Sequence, residues 1–161
     1  MTQNKPLQSS EAKAVLSTHG RRLLRVGSVL FLFALLVGFV VQRFAVPRLG
    51  LSVHLLGLMQ GLFLMVAGLL WPKLTLSRLS SSIAHCSAIY GCLTALAANL
   101  LAATWGAGNS LLPLAAGSAR GSVTQETIIS IGLRTAAVAL IISVILIVWG
   151  LRTPRSLKST E

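Results

Sequence analysis

Four apolar stretches, each close to twenty residues long, decide what this chain can fold into. They run over about 23–41, 52–71, 83–105 and 125–149. A helix rises about 1.5 Å per residue, so each stretch covers the roughly 30 Å hydrocarbon core of a bilayer. Hydrocarbon offers no partner to main-chain N–H and C=O groups, so such stretches cross it as helices. The five prolines, Pro6, Pro47, Pro72, Pro113 and Pro154, fall outside them. Trp71, Trp105 and Trp149 each close a stretch, as interfacial anchors do. Composition agrees: of 161 residues 54% are hydrophobic and 11% charged, with no aspartate, where a soluble domain carries about 25% charged residues. A soluble globular enzyme and a disordered tail are both excluded. The expected fold is all-α, an integral membrane bundle of four transmembrane helices in one domain over 23–150. A basic tail precedes it (1–22), another follows it (151–161), and a long outer loop spans 106–124.

About 20 polar residues precede the first stretch, and Arg43 and Arg48 follow it in place of a small-residue cleavage site. It therefore reads as a permanent helix rather than a signal peptide. Orientation follows from the cations behind the formal charge of +11. Ten of the 14 fall on one side: Lys5, Lys13, Arg21, Arg22 and Arg25; Lys73 and Arg78; Arg152, Arg155 and Lys158. The opposite loops hold Arg43, Arg48 and Arg120, and Arg134 lies inside a stretch. Both termini are accordingly expected in the cytoplasm, in a multi-pass protein of the inner (cytoplasmic) membrane. Topology and anionic lipid account for the basic tails, with no need for nucleic acid.

The two cysteines, Cys86 and Cys92, are six residues apart on one helix and point to different sides, so they cannot bridge each other. The loop 106–124 is rich in glycine, alanine and leucine, and its length fits a lid over the outer end of the bundle, a segment dipping into the interface, or a plain surface connection.

Ionisable and amide groups inside a span are costly and mark functional sites. Here they are His54 and Gln60, His85 and Asn99, and Gln125, Glu126 and Arg134. With the N-terminus inside, His54 and Glu126 share a depth near the outer face, and Gln60, Asn99 and Arg134 lie roughly 9–12 Å deeper. His54 shares a helical stripe with Gly57, Gly61, Met65 and Gly68, which places it on an inward, close-packing face. Ser122 and Gln125 fit a capping box. Glu126, in the first turn that follows, is either an anionic capping carboxylate favoured by the helix dipole or, if desolvation prevails, a protonated acid fit for catalysis. Arg134 is about 80° from Glu126 around the helix at 100° per residue, which argues against a direct ion pair.

No sequence pattern indicates a cofactor. His54 and His85 stand about a bilayer apart, so one haem cannot take both within a chain. His54 and Glu126 alone are two ligands without a third. A metal or haem held in another way stays open.

At these positions the chain resembles the hydroxylaminobenzene mutase family, small four-helix membrane isomerases of nitroaromatic degradation. The matching runs are His19-Gly20, Pro47-Arg48-Leu-Gly-Leu-Ser-Val-His54-Leu-Leu-Gly57 with Met59 and Gly61, and Tyr90-Gly91. Ala102-Ala103-Thr-Trp105-Gly-Ala-Gly108, Pro113 with Ala115 and Gly117, Gln125-Glu126 and Trp149-Gly-Leu-Arg152 complete them. Leu56 stands where the family pattern suggests glutamate, and Gln60 and Ala95 where it suggests asparagine.

The resemblance implies conversion of hydroxylaminobenzene, or a related aryl hydroxylamine, to the ortho-aminophenol by acid-assisted intramolecular hydroxyl transfer. His54 and Glu126 would be catalytic. Gln60, Asn99 and Gln125 would hold the departing hydroxyl, Tyr90 and Trp105 would stack on the ring, and Arg48 and Arg134 would complete the binding set. Such an isomerisation needs no redox cofactor. The alternative is a small oligomeric proton-coupled transporter of aromatic or cationic compounds. Faces rich in glycine and alanine point to a homo-oligomer in the lipid bilayer.

Overall fold

The computed structural model describes residues 17–152; the terminal cations Lys5, Lys13, Arg155 and Lys158 lie outside them. Among the described residues every regular element is helical: α1 (Thr18–Val40), α2 (Pro47–Leu70), α3 (Arg78–Trp105), a short α4 (Pro113–Ala116) and α5 (Val123–Gly150). Single 3-10 turns, Val41–Arg43 and Trp71–Lys73, extend α1 and α2. With these turns the four long helices run 26 to 28 residues, about 40 Å at the α-helical rise. They are long and apolar enough to cross a bilayer, as the sequence implies.

The helices outrun the apolar stretches, and local signals set their ends. Ser17 Oγ accepts the Gly20 N–H at 3.1 Å and opens α1. Pro47 occupies the first turn of α2, where no N–H is needed. Ser77 Oγ accepts the Ser80 N–H at the start of α3. At α5 the capping box forms: Ser122 Oγ accepts from Gln125 N–H, and Gln125 Oε1 accepts from Ser122 N–H at 2.8 Å. Gly106 ends α3 at φ +65, a left-handed turn that glycine adopts without steric cost.

The four spans lie in an open row. α1 packs along α2, α3 along α5, and the two pairs meet where α2 touches α3, with smaller contacts of α1 on α3 and of α4 on α2. α5 is packed on neither α1 nor α2.

Glycines let α1 and α2 touch main chain to main chain. A Cβ added to Gly27 would stand 2.7 Å from the Gly61 carbonyl oxygen, and one on Gly61 would stand 2.8 Å from that of Gly27. Gly20 and Gly68 repeat the arrangement two turns away, at 2.6 and 2.7 Å. In an apolar solvent such contact replaces the missing hydrophobic drive with dispersion and weak Cα–H···O bonds. The α3–α5 seam uses side chains as well. Ser143 Oγ, fully buried, donates to the Ala84 carbonyl at 3.0 Å, and Tyr90 donates to Thr135 at 3.2 Å. The outward faces carry bare hydrophobes, Phe39 being 88% exposed.

Trp71 closes its span as expected, at the turn that ends α2. It is buried against the His19 and His85 rings, whose centroids are themselves 4.5 Å apart. Cys86 is exposed and Cys92 buried, both as free thiols on different sides of α3.

Candidate functional site

The stripe that carries His54 is indeed a packing face, but its partner is α1. His54 Nδ1 lies 2.7 Å from the Ala34 carbonyl oxygen, and Gly38 leaves the room, since a Cβ there would meet the ring at 2.9 Å. A carbonyl only accepts, so Nδ1 carries a hydrogen in either charge state of the ring. Proton exchange is thereby confined to Nε2. α1 orients the imidazole, and neither Ala34 nor Gly38 has a polar side chain that could have drawn attention in the sequence.

Two amides are buried, Gln60 on α2 and Asn99 on α3. Trp71 Nε1 donates to Ser81 Oγ, and the space beside Gly57 is filled by Leu96 and Ala34. These contacts fix the antiparallel register and set Asn99 about level with His54 and Gln60 about level with Cys92. Asn99 is therefore shallower than the sequence places it, beside His54 in depth rather than beside Gln60. Asn99 is 6% exposed and donates Nδ2 to the Ala95 carbonyl at 3.0 Å. Gln60 is also 6% exposed, and neither its Nε2 nor its Oε1 has a hydrogen-bond partner. An amide buried with both ends unpaired costs several kcal/mol at the outside. It is a donor and an acceptor held ready for a polar ligand.

Glu126 is at work elsewhere. Its Oε1 accepts main-chain N–H bonds from Gly108 (2.8 Å), Asn109 (3.2 Å) and Gly121 (3.2 Å), and its Oε2 accepts from Ser110 (3.1 Å). Four donors converge on two oxygens, a set that an ionised carboxylate satisfies and a carboxylic acid does not, because its O–H would face N–H groups. Of the two roles open in the sequence, the anionic one fits this geometry. Its partners are loop amides as well as helix-end electrostatics. Glu126 ties both ends of the 108–121 loop to the first turn of α5. Glu126 is thus engaged by the loop and the start of α5, whereas His54 is held by α1.

The remaining candidates scatter. Gln125 is consumed by the capping box. Tyr90 and Trp105 are exposed, and Tyr90 lines a groove of about 610 Å³ between α3 and α5 with Arg134, away from α2. Arg134 itself is exposed on α5, and Arg48 is exposed in the first turn of α2. The structure thus brings His54, Asn99 and Gln60 to the α2 side of the row. It leaves Tyr90, Trp105, Gln125, Glu126 and Arg134 on α3, α5 and their loop. No three His, Cys, Asp or Glu side chains group to hold a metal among the described residues. A centre needing one protein ligand would find it in Nε2 of His54, whose Nδ1–H bond to a carbonyl is the usual support of a ligating imidazole.

Comparison with known proteins gives one consistent result. The styrene oxide isomerase family profile matches residues 19–152. The hydroxylaminobenzene mutase HabB of Ectopseudomonas oleovorans is 40% identical over 141 residues, covering 88% of this chain and 86% of that protein. The hydroxylaminobenzene mutase HabA of the same organism is 39% identical over 104 residues, 65% of this chain and 77% of its own length. No solved structure matches.

Proposed function

The chain belongs to the styrene oxide isomerase family, which includes its hydroxylaminobenzene mutase relatives, and from that premise we propose that it converts an aryl hydroxylamine to the ortho-aminophenol. It is a multi-pass membrane protein and an intramolecular isomerase. The observations that carry the proposal are the His54 imidazole locked against α1 and the buried, unpaired Gln60 amide six residues further along α2.

Both reactions named by the relatives begin with the same demand. An oxygen must leave an atom attached to a phenyl ring, and the cation left behind is shared with the ring. In the mutase reaction the imidazolium Nε2–H of His54 donates its proton to the hydroxylamine oxygen. The N–O bond breaks with both electrons going to oxygen, leaving water and an aryl nitrenium cation. Gln60 Oε1 and Asn99 hold that water against the ring, and it adds at the ortho carbon. The added water loses one proton and the ortho carbon the other. One of them returns to His54 Nε2 and the other goes to the nitrogen, giving the aminophenol with no net change in protons or electrons. Apolar walls keep bulk water from intercepting the cation. A metal or haem iron, where the protein carries one, would be held by His54 Nε2 and would supply Lewis-acid activation of the same oxygen; the proton inventory above would then pass to other groups.

The row of helices leaves α1 and α5 as open edges, and self-association in the bilayer would cover them. The ten cations on one side support a reading with both termini in the cytoplasm and the protein in the inner membrane. Purified protein in detergent, given hydroxylaminobenzene, is expected to release 2-aminophenol with no ion gradient. Product absent under these conditions, or full turnover retained in both His54→Ala and Gln60→Leu, would refute the assignment. The transporter alternative predicts no chemical product at all and draws no support from the relatives.

A further inference from the structure

Arg120 and Arg134 have no counter-ion within the described residues. Both line one groove of about 580 Å³ at the loop end of α5, together with Asn109, Ser110, Thr127 and Ser130. Glu126 borders the same groove and is the one acidic residue among those described. Its two oxygens, however, are taken by the four loop amides. Arg134 stands eleven residues into α5, about 16 Å along the helix, and it is exposed on the outer side of the row. A bare guanidinium at that depth is costly in lipid and must reach either an anion or the interface. Helical side chains lean toward their own N-terminus, so Arg134 extends over Ser130 and Ile131 into the groove. Among the described residues a second copy of the chain brings no better anion, because its Glu126 is tied to its own loop in the same way.

We propose that this groove binds an anionic phospholipid, with the headgroup phosphate between Arg120 and Arg134. Ser130 Oγ, which donates to no protein acceptor in the structure, is the third polar group available to it. The groove continues past Arg134 into the apolar one lined by Ile83, Tyr90, Val138 and Ile142. From Arg134 to Ile142 is a further 12 Å or so along the helix, a course suited to one acyl chain. Arg134 is thereby assigned to lipid rather than to substrate. The site lies on α5 and its loop, apart from the His54 seam, so its test is separate from that of the isomerase reading.

Native mass spectrometry of the full chain in detergent tests this with equal concentrations of phosphatidylglycerol and phosphatidylcholine. One basic residue near a membrane surface favours anionic lipid about fivefold. The wild-type chain should prefer phosphatidylglycerol, and the double variant Arg120→Gln/Arg134→Gln should lose about 25-fold of that preference. Arg21→Gln/Arg22→Gln, which removes the same charge at the other end, should keep most of it. Arg120→Lys/Arg134→Lys should keep it as well. If the double glutamine variant does not fold, as judged by helical circular dichroism, the single loop variant Arg120→Gln decides by its expected fivefold drop. Equal retention of the two lipids by wild type overturns the proposal. So does an unchanged preference in the groove variants, or an equal loss in the variants at the other end.

Discussion

Replacing Glu126 by glutamine separates an anchor for the loop from a proton donor. The change keeps size and shape but removes the charge and turns one acceptor oxygen into a donor. With the amide oxygen at the Oε1 position, the bonds from Gly108, Asn109 and Gly121 persist, but as neutral ones. Each then loses roughly 1 kcal/mol, the gap between a charge-assisted and a neutral bond. The Ser110 N–H, which reaches Oε2 at 3.1 Å, faces another donor and turns to water at little further cost, since Ser110 is exposed. The sum is about 3 kcal/mol, borne by the docking of the loop rather than by the four long helices. At 1.36 kcal/mol per decade, the open loop becomes roughly 150-fold more populated. Hydrogen exchange at the amides of Gly108 and Asn109 should quicken by about that factor in Glu126→Gln, while the helices keep their protection. Turnover should fall through loss of the loop's order, with the shape of the pH–rate profile unchanged. Unchanged loop exchange together with a hundredfold fall in kcat, and the loss of one limb of the pH profile, would show Glu126 to be the acid and refute the anchor.

His54→Ala should abolish aminophenol formation in a product assay on folded protein; turnover retained in that variant would remove the imidazole from the mechanism. Gln60→Leu should stabilise the fold by about 1–3 kcal/mol, because it deletes two unpaired buried polar atoms, while lowering kcat at least tenfold; reversible unfolding in mixed detergent and a product assay read the two effects in opposite directions. Gly61→Ala puts a methyl 2.8 Å from the Gly27 oxygen and 2.9 Å from Phe31, so α1 must retreat, at about 1–3 kcal/mol of stability. Ser143→Ala should cost about 1 kcal/mol by leaving the Ala84 carbonyl at the α3–α5 seam without its side-chain donor.

The spans were legible because apolar length and proline exclusion are local properties, and the α5 capping box because its two partners lie three residues apart. The glycine stripe of α2 was legible as a face, whereas its partner was not. Spacing says that His54, Gly57, Gly61 and Gly68 look the same way, and only the packing says that Ala34, Gly27 and Gly20 of α1 look back. The depth of a residue read from its own helix also presumes that all helices start level. The register set by Trp71–Ser81 and Gly57–Leu96 shows that they do not, which is why Asn99 rises to the level of His54. Glu126 stood out as the lone acid of the described chain, but its donors are main-chain amides, which no side-chain pattern reveals.

A division of labour follows from the open row. The α1–α2 contact costs two helices their side chains at four glycines, and in return α1 comes close enough for the Ala34 carbonyl to hold His54 Nδ1. On the far side, α3 and α5 carry the loop and the arginine groove and give nothing to that imidazole. The two halves meet mainly along α2–α3, with smaller contacts of α4 on α2 and of α1 on α3. A perturbation of the loop end should therefore reach His54 through α4 on α2 or by moving α3 against α2. Gly61→Ala, acting on the α1–α2 contact, should instead displace the imidazole directly. If the glycine substitution left kcat intact while lowering stability, the orientation of His54 by α1 would not matter to the chemistry. The case for His54 as the proton-transfer group would then lose its structural footing.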